Sequence, residues 1–423
     1  MGVDRAEPSL LIRGARLARC DGQGDAMGRL ALLDDGAVAI DAAGIISFVG
    51  RTADAPEAAG HTEIVYARGA LLTPGLVDPH THLVFAGRRS AEFEQKMRGV
   101  DYRTIAAAGG GIASTVAATR AADDATLQAS MRRRLDVMLL HGATTVEVKS
   151  GYGLTLDDEM RLLRIASDAG SEGPPRARTI PTLLGAHAVP RELAQDRARY
   201  VALVTHEMIP AAVRDRLASA VDVYLDEGAF TLEEARTILG AARSQGLAVK
   251  AHVGQFRDLG GPELVAELGG LSCDHLEEVS DAGLRAMAAA GTTAVLLPAA
   301  WRTLRQRAPH AARMRALGVS VAVGTDANPG TSPCLDLPLC AALAVRDAGL
   351  EANEALLAIT SSSARAIGVR DAGRIAVGAR GDLALWDHDE PGMFAYVLGG
   401  QRPTSVWVLG RRASESPAST AAF

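Results

Sequence analysis

Eight short apolar runs, separated by segments of helical period, leave the middle of this chain very few folds. The runs are Gly75 to His82, Thr144 to Lys149, Thr179 to Ala186, Val221 to Asp226, Ala248 to Val253, Ser272 to Leu276, Thr292 to Leu297 and Ser320 to Gly324. Between them lie Leu127 to Leu140, Leu232 to Ser244 and Asp281 to Ala290, among others, with apolar residues at helical spacing. Strands alternating with helices build parallel sheets, and eight of them predict an α/β fold closed as a (β/α)8 TIM barrel. A doubly wound open sheet is the competing arrangement, but no G-x-G-x-x-G follows the first run. The triple glycine Gly109-Gly110-Gly111 precedes a helical stretch starting near Ala113. It is read either as an anion cradle of backbone N–H groups or as a mobile loop beside the site.

The two ends read differently. Residues 9–50 and 373–411 alternate apolar and polar residues between Gly and Asp-Gly turns, a pattern of short strands. Neither end is large enough to bury a core alone. The expected organisation is a catalytic barrel over 71–372 and a small composite β-sandwich domain from 1–70 and 373–423, with a frayed polar tail after Arg412.

Composition narrows the function. The chain has 423 residues, 48% hydrophobic and 4% aromatic, with 44 glycines and a net charge of −6. That suits an α/β enzyme and leaves no basic footprint for nucleic acid. No apolar stretch approaches the roughly 20 residues that span a bilayer, and the N-terminus has no long apolar segment of a secretory signal. Cys20, Cys273, Cys334 and Cys340 show no C-x-x-C spacing and read as reduced packing thiols of a cytoplasmic protein. Cys273, two residues before His275, can still lie near a site.

The polar residues then fall on the frame. His80 and His82 are two apart at the end of the first strand, so they face the same side. His187 ends the third strand, His252 the fifth, His275 the sixth, and Asp326 follows the eighth in Gly324-Thr325-Asp326-Ala327-Asn328-Pro329-Gly330. A lone buried histidine is usually a satisfied core residue. Five histidines and an aspartate at one end of a barrel, where such enzymes keep their chemistry, point to a metal site instead.

These residues carry a family resemblance. The pattern P-G-x-x-D-x-H-x-H, the later His, His and Asp, and the run from Ala364 through Gly373-Arg374-Ile375 to Gly381-Asp382-Leu383-Ala384 resemble the amidohydrolase superfamily. Within it the chain is similar to the imidazolonepropionases along nearly its whole length, in DPHTHLVFAGRRSAEFE, IAAAGGGIASTVAATRAA, TTVEVKSGYGL, LLGAHAVP and TDANPGTSP. The resemblance implies one divalent metal ion, zinc or iron, on His80, His82, His252 and Asp326. It also implies substrate contacts from Arg89, Tyr152, His187, His275, Asn328, Gly330 and Thr331.

Elementary chemistry agrees with those roles. Three imidazoles and one carboxylate leave a metal room for water, whose pKa falls towards about 7. Asp326 can move the water proton and His275 can polarise the attacked group. Arg89 suits a substrate carboxylate, although Arg88-Arg89 can also be a surface pair. Tyr152 between Gly151 and Gly153 is either projected inward or an ordinary turn tyrosine. The fourth strand, Val221 to Glu227, has no lysine to bridge two metals, which favours one; Lys149 is expected to be structural or to support the site from behind.

Three departures flank the ring pocket that the resemblance implies. Gln255 stands where the family usually has a glutamate, so the carboxamide there is no base; we place it among the catalytic positions. Asp226, after Leu225, replaces a strand-four glutamate, and Ala299 to Thr303 replaces a T-x-F-like stretch. The expected activity is hydrolysis of an imidazolone ring carrying a propionate arm, 4-imidazolone-5-propionate to N-formimino-glutamate. The alternative is a paralogue acting on a hydantoin or thiohydantoin propionate, with sulfide release from the thioxo ring. An inactive scaffold of the same fold is a third reading, opposed by the intact ligand set. The expected partners are a small molecule with a carboxylate arm and a second copy of the chain, with neither nucleic acid nor membrane.

Overall fold

The computed structural model describes residues 7–22, 29–100, 110–168 and 175–416. The first strands, β1 (Leu10–Ala18), β2 (Leu32–Ile40), β3 (Ile46–Arg51), β4 (Glu63–Tyr66) and β5 (Leu71–Pro74), belong to one sheet. The chain then enters the barrel through β6 (Leu76–Asp78), β7 (Ala143–Lys149), β8 (Arg178–Ala186), β9 (Ala220–Leu225), β10 (Ala248–Val253), β11 (Ser272–His275), β12 (Thr293–Leu296) and β13 (Val321–Val323). It returns to the first sheet with β14 (Leu383–Leu385), β15 (Ser405–Val408) and β16 (Arg411–Glu415). The end sheet runs β16-β15-β14-β5-β1-β2-β3, with β4 also on β1, around Leu10, Ile12, Leu17, Val38, Ile40, Leu72, Leu383 and Trp407. Leu71–Pro74, expected in the barrel, is thus laddered to β1 and β14 and hands the chain over at Gly75. The tail is paired to Glu415; residues 417–423 lie outside the described residues.

All eight barrel strands are parallel and ordered as in sequence from β6 to β13. Between β13 and β6 no ladder forms. A single bridge, Thr81 to Ala327, closes the ring, with Asp326 N donating to His80 O at 3.0 Å and His82 N to Ala327 O at 3.0 Å. Asp78 fastens the same seam, accepting from Thr325 Oγ1 at 2.6 Å and Thr325 N at 3.2 Å. Burial pushes the Asp78 carboxyl up to about 7.

The helices form where their periods require. Leu232–Ser244 starts at a capping box made by Thr231 and Glu234, and Asp281–Ala290 starts at Ser280 and ends on Gly291 in the left-handed region. Asp124–Leu140 buries Leu127, Met131, Leu135 and Met138 against the barrel. No described helix is long and apolar enough to cross a membrane.

Candidate metal centre and ring pocket

His80, His82, His252, His275 and Asp326 are all buried and meet at the C-terminal rim. His80 Nε2 is 3.3 Å from His82 Nε2, and both lie 3.4 Å from Asp326 Oδ1. The His252 ring centroid is 4.5 Å from that of His80 and 5.5 Å from that of His82.

The outer nitrogens decide what the inner ones offer. His80 Nδ1 donates to Asp274 Oδ2 at 2.6 Å, and His252 Nδ1 to Asp222 Oδ1 at 2.9 Å. A proton on Nδ1 leaves a lone pair on Nε2. His252 Nε2 is buried and has no hydrogen-bond partner among the described residues. Burial and the Lys149 charge push His80 down, and burial pushes His252 down against the pull of Asp222. Burial opposes ionisation of Asp326, but the His80 and His82 rings beside it outweigh burial and hold the carboxyl well below the usual range. Neutral imidazoles with inward lone pairs beside a carboxylate fit a divalent cation such as zinc or iron. Among the described residues, two groups have ligand-type atoms close enough for one ion: His80, His82 and Asp326, and His80, His252 and His275.

Arg89 enters from the loop before the helix Ser90–Met97. Its Nε donates to Glu92 Oε2 at 2.8 Å, and Glu92 also accepts from Gly111 N at 3.2 Å and Ser114 Oγ at 3.1 Å. Gly111 N–H thus serves a carboxylate of the chain itself, and Gly109 lies outside the described residues. Arg89 Nη2 is buried without a hydrogen-bond partner among the described residues. Gly330 sits against this guanidinium, and a Cβ there would stand 2.1 Å from Arg89 Nη1. Asn328 shapes that loop: its Oδ1 accepts from Gly330 N and Thr331 N at 2.8 Å each, and its Nδ2 donates to Asp326 O at 2.7 Å.

Aromatic rings flank the histidine cluster. Tyr152 is 3% exposed, with its ring 5.4 Å from His187 and 5.9 Å from His82. His187 stacks on His82 at 5.2 Å and its Nδ1 bonds Gly151 O at 2.9 Å. The Tyr152 side chain is thus buried beside these two rings. Glu159 clamps its loop by accepting from Gly151 N, Gly153 N and Leu154 N at 2.9, 2.8 and 2.7 Å. Gln255 is buried; Tyr224 OH donates to its Oε1 at 2.8 Å, and Asp226 caps its turn by accepting from the backbone of Gln255, Phe256 and Arg257. Trp301 donates its indole N–H to Asp347 at 3.3 Å.

Comparison with known proteins decides the family. Residues 71–413 match the amidohydrolase family. An imidazolonepropionase of Ectopseudomonas mendocina is 52% identical over 332 residues, 78% of this chain and 82% of that one. An imidazolonepropionase of Rhizorhabdus wittichii is 45% identical over 400 residues, 94% and 98% of the two chains. The chain belongs to the imidazolonepropionase family of amidohydrolases. The same fold appears in N-isopropylammelide isopropylaminohydrolase from Burkholderia multivorans (TM-score 0.68, 20% identity, 97% of this chain and 99% of that one). It also appears in 5-methylcytosine deaminase from Klebsiella pneumoniae (TM-score 0.71, 15% identity, 98% and 99%).

Of the charged residues packed behind the site of this amidohydrolase, the sequence reading singled out Lys149 alone. Lys149, expected behind the site, bonds Glu147 Oε1 and Asp222 Oδ2 at 2.7 Å each and lies 3.7 Å from Asp274. Burial works against its charge, but Asp222, Glu147 and Asp274 outweigh it and hold the ammonium well above its usual range. Lys250 adds a second cation, donating to Pro79 O at 2.9 Å and Glu147 Oε1 at 3.4 Å. The signal was present as polar residues two apart in apolar strands: Glu147 and Lys149, Asp222 and Tyr224, Lys250 and His252, Ser272 and Asp274. Cys273 alternates outward from Asp274 and packs in the main core.

Proposed function

We propose that this chain hydrolyses the ring of 4-imidazolone-5-propionate to N-formimino-glutamate. One observation carries the reading: a buried, partly unpaired guanidinium, Arg89, is fitted against Gly330 on the loop that begins at the candidate ligand Asp326. A single site thereby offers a grip for a carboxylate arm beside a centre for hydrolysis.

His80, His82, His252 and Asp326 would hold one divalent cation, zinc or iron. The absence of a lysine at the end of β9 supports one ion rather than two. Such a cation makes water acidic enough to attack at neutral pH. Asp326 takes the proton from the attacking water and passes it to the departing ring nitrogen. His275 polarises the attacked group. Arg89 binds the propionate with charge-assisted hydrogen bonds, and Tyr152 and His187 wall the ring. Asn328, Gly330 and Thr331 set the height of the floor under the arm. Gln255, its oxygen engaged by Tyr224, turns its amide hydrogens to the ring and carries no proton itself. The reduced thiols favour the cytoplasm, and a homodimer is the assembly we expect.

Steady-state kinetics on three propionate-bearing rings tests the reading. Turnover of the imidazolone, with little on the hydantoin and thiohydantoin, is the expected result. Sulfide release from the thiohydantoin with no imidazolone turnover would assign the altered ring, the reading that the neutral Gln255 favours.

A further inference from the structure

Three imidazoles of the site turn Nδ1 toward a carboxylate. His80 faces Asp274 at 2.6 Å, His252 faces Asp222 at 2.9 Å, and His275 faces Glu277 at 3.7 Å. The third pair differs from the others. Asp274 also accepts from Ser272 Oγ, and Asp222 from Lys149 Nζ. Both Glu277 oxygens and His275 Nδ1 are buried with no hydrogen-bond partner among the described residues, and the Glu277 side chain is 2% exposed.

A carboxylate buried without donors is costly to the fold. The backbone beside it is costly as well: His275 and Leu276 take φ of +81° and +70°, where residues with a Cβ are strained. Strain and an unsatisfied charge persist together only where the surrounding structure imposes them, and such places cluster at functional sites. A separation of 3.7 Å is within ion-pair range and one small side-chain rotation from a hydrogen bond.

We propose that Glu277 is the positioning residue for His275: its carboxylate accepts from Nδ1–H, fixes the plane and tautomer of the ring, and leaves Nε2 to the reacting group. The inference rests on the reading of His275 as the residue that polarises the substrate, which it does through Nε2–H once that nitrogen is protonated as well, the Glu277 carboxylate balancing the charge of the ring. Glu277 itself touches neither substrate nor cation. It does for His275 what Asp222 and Asp274 do for two candidate ligands, without the donors that stabilise those two carboxylates.

Two variants of the zinc-loaded protein test this. Glu277→Met removes the acceptor, and Glu277→Gln keeps an acceptor but not the charge. The expected order of kcat is wild type, then Gln, then Met, with the Met variant down by about tenfold or more. KM should stay within about threefold and zinc content at the wild-type level. Melting temperature should be unchanged or higher in both variants, because an orphaned buried charge is gone. Nitrogen-15 spectra of labelled histidine, assigned with His275→Asn, should show the His275 proton on Nδ1 in the wild type and a mixture of tautomers in the Met variant. A Met variant with kcat within about twofold of wild type, or with the same His275 tautomer, overturns the proposal. Should the Met variant not fold, Glu277→Ala, which also removes the acceptor, decides by the same two readings. The spectra need no substrate, so failure of the ring-hydrolysis reading shows separately, as absent turnover by the wild type.

Discussion

Asp222 Oδ1 accepts from His252 Nδ1 at 2.9 Å while its Oδ2 accepts from Lys149 Nζ at 2.7 Å. One carboxylate therefore sets the tautomer of a candidate ligand and anchors that setting to a buried lysine. Asp222→Asn should keep the fold but weaken the grip on the ion by roughly 10- to 100-fold, as the loss of such partners does elsewhere. Competition with a chromogenic chelator measures it. Unchanged affinity would show that His252 needs no such support or is not a ligand.

The ligand set has its own test. Elemental analysis should find one divalent ion per chain in the wild type and a large loss in His82→Ala. Dialysis against a chelator should abolish hydrolysis, and zinc or iron should restore it. Two tightly held ions, or full retention in the variant, would contradict the set.

Arg89→Met should raise KM for propionate-bearing rings by about ten- to a hundredfold, from loss of about 1.5–3 kcal/mol of charged hydrogen bonding. A neutral analogue such as the propionamide should be affected far less. Equal losses on both substrates would remove Arg89 as the anchor.

Gly151 has a φ of +97°, and a Cβ there would meet His187 Nδ1 at 2.9 Å. Gly151→Ala should destabilise the protein by about 1 kcal/mol or more and raise KM, because Tyr152 and His187 both hang on this turn. Thermal melts and kinetics on the same preparation check the two effects together.

Thiol titration at pH 8 should find one reactive cysteine per folded chain and four after denaturation, because three of the four thiols are buried. Burial pushes Cys20 up to about 12 and Cys273 well above its usual value. Half-buried Cys334 is lowered by its contact with Cys340 at 3.9 Å between sulfurs. Reaction of several thiols in the folded protein would show that the core opens readily.

Much of the barrel and its rim was legible in the chain because both rest on short-range periodicity. A two-residue period placed His80 beside His82, and strand ends placed His252, His275 and Asp326. The helix Leu232–Ser244 was readable from the helical spacing of its apolar residues, and the structure adds the Thr231–Glu234 capping box at its start. Asp222, Asp274, Glu92 and Glu159 were not read as parts of the site, because their partners are distant in sequence and their role depends on which strands become neighbours. Glu277 is close to His275 in sequence, but nothing in His-Leu-Glu-Glu says that the backbone turns left-handed and brings the carboxylate back. The end sheet was legible as β structure; the membership of Leu71–Pro74 was not, since an apolar run leading to Gly75 suits either sheet.

The seam between β13 and β6 has a thermodynamic meaning. Every other joint of the ring is a ladder, while this one depends on one bridge and the Asp78–Thr325 contact. His80 and His82 stand on one lip and Asp326 on the other. A cation held by all three works as a clasp, drawing part of its affinity from keeping the hoop shut and returning it as resistance to unfolding by mass action. The amides of His82 and Asp326, which cross the seam, should then exchange with solvent more slowly when the clasp is fastened.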